Sequence, residues 1–216
     1  VLPDWIENVS LYLSLGLIIP LLSLLVNYLK TISTRENNNS VIYELINVSF
    51  IVFFITNIFQ IVSSFLNLIP ILSVTSFESA IRYGYVYSLV LIVVPFVYYL
   101  IPRIFGREVV YTRIESITSF LLKSVILLSL FITGLIGINS GYSWNAGANA
   151  GNPTIFGEGF LITWSLVSTP YTINLFLSLL LLVGVLLFNV TTFRAISSGP
   201  ITEIESVELI EEESNE

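Results

Sequence analysis

The chain has 216 residues, 55% of them hydrophobic and only 11% charged, with a mean hydropathy of +0.89. A water-soluble domain carries about a quarter charged residues, so lipid is the expected solvent for most of this one. His, Cys and Met are all absent, which excludes disulfides and thiol or imidazole chemistry and removes the usual ligands of haem, copper, zinc and iron–sulfur sites.

The net charge of −7 is local: seven carboxylates fall between Glu203 and Glu216, while the other eight Asp and Glu balance the eight Lys and Arg. Residues 201–216 therefore read as an acidic, solvated tail on a membrane bundle spanning 1–200, and the low isoelectric point carries no information about a substrate.

Crossing ~30 Å of hydrocarbon at ~1.5 Å per residue takes about 20 apolar residues. The sequence predicts five such helices and hence an all-α polytopic bundle. The first is Val9–Leu29, too long and too poor in flanking basic residues for a cleaved signal peptide. The second, Val41–Leu66, continues weakly through Pro70. The third and fourth are Ala80–Ile101 and Ser116–Ile138, and the fifth runs from about Leu161 to Phe188, with room to bend near Pro170. Residues 141–159, rich in Gly, Asn and Ala, suit an irregular outer loop, with Tyr142 and Trp144 at the lipid boundary as a surface-anchored lid.

Basic residues set the expected orientation. Lys30, Arg35, Arg103, Arg107, Arg113 and Arg194 fall on one side of the five spans and Arg82 alone on the other. The N-terminus is then outside and the C-terminus cytoplasmic, in a multi-pass protein of the cell membrane.

The stretch YYLIPRIFGREVVY, Tyr98–Tyr111, leads through the fourth span into LFITGLIGINSGYSWNAGANAG, and the fifth closes on FNVTTFRAI. This order resembles the last three helices of the catalytic subunit of haem–copper oxygen reductases, in the cbb3-type oxidase and nitric oxide reductase branch. There a tyrosine-rich helix ends in a Pro–Arg–aromatic–Gly–Arg turn on the cytoplasmic side. An outer loop with a Trp and one final helix follow. The resemblance covers about 100 residues, Tyr98–Ile196, and by helix count the first two spans too. It implies a place in a respiratory complex whose partner subunits carry haem. One departure is decisive. The family's haem-binding His-X-His would fall near Ala80 and Arg82, and neither side chain replaces an imidazole. The chain is thus expected to hold no cofactor and to catalyse nothing by itself.

Several polar residues lie within or beside the spans. Asn57, Gln60 and Asn67 fall roughly on one stripe of the second, a face that meets either a neighbouring subunit or a lipid-soluble quinone. Lys123 lies inside the fourth span, as a proton-path or partner-contact residue or as a side chain snorkelling to the boundary. Arg82, one turn after Glu78, suits an ion pair at an interface or a contact to a haem propionate or quinone head. Glu44 and Glu115 read as boundary residues, the latter favoured at a helix start. Tyr83, Tyr85 and Tyr87 do not share a helix face and read as aromatic belt and packing.

The resulting expectation is a non-catalytic integral subunit of a respiratory terminal oxidase or related electron-transfer complex. Its partners are other membrane subunits, lipid and quinone, with no nucleic acid. A small transporter or channel would instead show inverted repeats and charges in broken helices; a transient assembly factor for an oxidase is the third alternative. The absence of Cys and Met also suits an oxidising or hot, acidic habitat, as in thermoacidophilic archaea.

Overall fold

The computed structural model describes residues 4–33, 41–65, 68–72, 75–107, 109, 113–149 and 158–200. Seven helices occupy them, with no strand among the described residues, and five stretches are long and apolar enough to cross a membrane. Asn67 and the acidic tail lie outside the described residues.

Helices α1 (Asp4–Gly16) and α2 (Ile18–Ser33) together make the first span, Leu11–Thr31. The break falls where Pro20 dictates, because its ring crowds the carbonyl four residues back, at Gly16. The Leu17 amide still reaches the Leu13 and Ser14 carbonyls at 3.2 Å, so the helix bends rather than ends. None of the residues in this span's most apolar window is buried. Helix α3 (Val41–Ser63) is the second span, and the weak continuation past it is a separate one-turn helix, α4 (Ile69–Leu72).

The third span is α5 (Ser76–Phe105), which holds both Pro95 and Pro102. Its start is fixed by Thr75, whose hydroxyl accepts from the Phe77 amide at 3.3 Å. Its end is fixed by Gly106, which takes the left-handed conformation (φ 59°) that a C-terminal cap needs and that a β-carbon would strain. Helices α6 (Arg113–Asn149) and α7 (Glu158–Ser198) are longer than the sequence suggests. The expected outer loop is corrected here: residues 141–149 continue α6, and only 150–157 lie outside the described residues. Gly141 belongs to the packing rather than to a turn, since a β-carbon there would lie 2.4 Å from the Ile71 carbonyl oxygen. Pro170 does not interrupt α7.

Helices α5 and α6 form the centre, α3 lies against α5, and α7 against α6. The core runs through Leu45 and Val52 of α3, Ala80, Leu91, Tyr98 and Ile101 of α5, and Leu122, Ile126 and Leu130 of α6. Lipid tails are as apolar as these side chains, so association depends on close packing and on hydrogen bonds between helices. Both are present. A β-carbon on Gly84 would lie 2.1 Å from Thr56 Oγ1, which brings α3 and α5 together, and Ser49 donates to the Ser88 carbonyl across the same contact at 2.7 Å.

Candidate functional site

Among the described residues, polar side chains of the spans gather at several places. The first is a network in the middle of the bundle. Ser129 and Thr133, one turn apart on α6, face Asn174 of α7. The Ser129 hydroxyl donates to Asn174 Oδ1 at 2.8 Å, and Asn174 Nδ2 donates to Thr133 Oγ1 at 3.2 Å. Tyr87 of α5 approaches Ser129 at 3.5 Å. Sequence reasoning passed over Ser129, Thr133 and Asn174, and read Tyr87 only as aromatic belt and packing. Their signal was present, as two hydroxyls at i and i+4 and a lone Asn inside apolar runs.

The second place lies where α5 ends and α6 begins. The buried Tyr98 ring packs edge-on to Phe188 at 5.5 Å, and its hydroxyl is 3.1 Å from Thr191 of α7. Glu115, in the first turn of α6, is buried here, only 5% exposed. Arg107 donates to the Gly199 carbonyl at 2.9 Å, so the basic turn between α5 and α6 is tied to the end of α7.

Third, Lys123 pairs with Glu44 across α6 and α3. The Lys123 side chain is 21% exposed and Glu44 54%. Glu44 sits in the first turn of α3, whereas Lys123 is nearly three turns into α6, so the pair lies toward one end of the bundle. The long lysine stem thus ends on a neighbouring helix's carboxylate.

The fourth place is the outward face shared by α3 and α5. Asn57 donates its amide to the Phe53 carbonyl one turn back at 2.8 Å and accepts the Tyr85 hydroxyl at 3.3 Å. Phe53 and Tyr85 meet edge-on at 6.2 Å. Gln60, one turn further along α3, is half-buried, and its carbonyl accepts from both Ser63 and Ser64. Of the three-residue stripe, Asn57 and Gln60 thus lie on α3 in partly buried positions, and Asn67 is outside the described residues. Arg82 does form the ion pair with Glu78, at 2.5 Å, on an open surface with 75% and 50% of the two side chains exposed. Ala80, two residues before it, is fully buried in the core.

Toward the other end of the same face, Tyr43, Ile46 and Phe50 form a ridge on α3 between two clefts. One, of about 690 Å³, is closed on its far side by Ile92, Pro95, Phe96 and Tyr99 of α5. The other, of about 380 Å³, is closed by Leu24, Asn27, Tyr28 and Thr31 of α2. Tyr28 stacks on Phe50 at 4.0 Å and its hydroxyl donates to Asn47, a polar tie of the first span to α3.

Among the described residues no three Asp or Glu side chains gather in one place. What the arrangement provides is a packed helical scaffold with one face bearing polar groups at its end and apolar clefts along its length. No protein-family model matches the chain, and no curated protein matches it at a significant level.

Proposed function

We propose that the chain is a non-catalytic integral subunit of a respiratory terminal oxidase or related electron-transfer complex, packing against a haem-bearing membrane partner. The observation that carries this reading is the Asn57–Tyr85 pair. Two polar groups sit on the outward face of α3 and α5, in a segment otherwise apolar enough to span lipid, and Tyr85 is 36% exposed. Polar groups in spanning segments generally face protein or a water-filled cavity. A partner helix offering a hydroxyl or amide at that level covers the pair at lower cost than lipid does. The order YYLIPRIFGREVVY, fourth span, Trp-bearing segment and final helix supplies the respiratory context, through its resemblance to the oxidase catalytic subunit.

The test is purification from membranes through this chain, with a visible spectrum and identification of the copurifying proteins. Haem bands from the partners and none from the isolated chain are expected. Replacing Asn57 and Tyr85 together by Leu should reduce partner recovery while leaving the chain folded. Recovery of the chain alone, monomeric and without haem proteins, would overturn the proposal.

A further inference from the structure

We propose that the two clefts flanking the Tyr43–Ile46–Phe50 ridge hold one two-chained anionic phospholipid, with its headgroup phosphate on Arg103. This inference does not depend on the partner reading, which concerns the Asn57–Tyr85 end of the same face.

The clefts have the form that such a lipid requires. They lie side by side, share a single ridge, and are lined by apolar and aromatic side chains apart from Asn27, Asn47 and Thr31 of the α2 cleft. The ridge from Tyr43 to Phe50 covers two turns of α3, about 10 Å along the axis, which lies within the ~15 Å of one leaflet's hydrocarbon. One acyl chain fits between α3 and α5 and the other between α3 and α2. The ridge side chains lie between them, as a fork straddles a rib.

The charge lies at the end where it is needed. Tyr99 closes the larger cleft, and one turn beyond it Arg103 places its guanidinium 4.0 Å over the Tyr99 ring. That cation–π contact holds the side chain at the cleft mouth, while Arg103 itself stays exposed. A planar guanidinium presents paired donors to phosphate oxygens. The neighbouring charges do not oppose it. Glu44, next to Tyr43, is engaged by Lys123 on α6, and Arg107 is turned to the Gly199 carbonyl. A second protein helix is the competing occupant, but a ridge that divides the face into two clefts, with a cation at one end, suits two acyl chains under one phosphate better.

Native mass spectrometry of the full chain in detergent, titrated with dioleoyl phosphatidylglycerol or dioleoyl phosphatidylcholine, tests this directly. One phosphatidylglycerol should be retained in preference to phosphatidylcholine. Arg103→Ala should lower phosphatidylglycerol affinity about fivefold, the worth of one basic residue near an anionic headgroup, and phosphatidylcholine affinity by clearly less, because its choline cation offsets the same phosphate charge. Arg113→Ala removes an equal charge from the exposed start of α6 and should have no such effect. Ile46→Trp fills the ridge region and should weaken both lipids. Equal retention of the two lipids would overturn the proposal. So would an unchanged Arg103→Ala, or an Arg113→Ala loss as large, which would indicate diffuse attraction. A second copy of the chain displacing lipid would assign the face to a protein. If Ile46→Trp does not fold, the two arginine variants still decide.

Discussion

Gly137 lies in α6 where that helix crosses the start of α5. A β-carbon there would fall 2.3 Å from the Phe77 backbone nitrogen and 2.5 Å from its Cα, well short of the 3.4 Å at which ordinary contact begins. Neither obstacle is the tip of a flexible side chain. Phe77 is itself 2% exposed and its amide is held by the Thr75 cap, so the two helices must part. Overpacking of this kind costs about 1–3 kcal/mol. Alanine regains up to about 1 kcal/mol of helix propensity over glycine. Because the clash is with backbone, the upper end of the overpacking range applies, and Gly137→Ala should lose about 2 kcal/mol net. Gly184 is the internal control, because its β-carbon would meet Leu122 Cδ2 at 3.3 Å and a leucine methyl can turn aside. Gly184→Ala should be neutral or stabilising. Unfolding by sodium dodecyl sulfate in mixed micelles, followed by circular dichroism, measures both. A Gly137→Ala protein as stable as the parent, or equal losses at the two glycines, would refute the reasoning.

Asn174→Leu should cost about 0.6–2 kcal/mol, the range for hydrogen bonds between membrane helices, because it removes partners from both Ser129 and Thr133. A double-mutant cycle with Ser129→Ala in the same unfolding assay should show coupling, and additivity would count against the network. Tyr98→Phe keeps the ring against Phe188 and loses the Thr191 contact, for about 0.5–1.5 kcal/mol, whereas Tyr98→Ala should lose about 3–5 kcal/mol. Equal losses would mean that the hydroxyl, not the ring, carries the site. The cycle Lys123→Met with Glu44→Gln should give a coupling of no more than about 1 kcal/mol, given how exposed Glu44 is. A coupling several times larger would place the pair away from water.

The five spans were legible because apolar run length is set by bilayer thickness and needs no tertiary knowledge. The bend at Gly16 was legible in principle too, from Pro20 four residues on. The extension of α6 through Asn149 was not. Gly141, Gly147 and the asparagines look like loop chemistry until Ile71 is seen to require a residue without a side chain beside it. Lys123 and Glu44 are 79 residues apart, and nothing in either local context selects the other. The ion pair of Glu78 and Arg82 was readable from its one-turn spacing alone. Pairs within a helix follow from its period, while pairs between helices depend on register and rotation that packing decides.

The helices differ in length in a way that bears on the bilayer itself. Helix α6, with 37 residues, is about 55 Å long. Even at a tilt of about 40°, the upper end of what membrane helices adopt, it stands taller than ~30 Å of hydrocarbon. Helix α7, with 41 residues, is longer still. Helix α3 has only 23 residues, about 35 Å, and little to spare. The ends of the long pair therefore stand outside the hydrocarbon, whereas α3 is used over nearly its whole length, so a bilayer much thicker than α3 would have to thin around it.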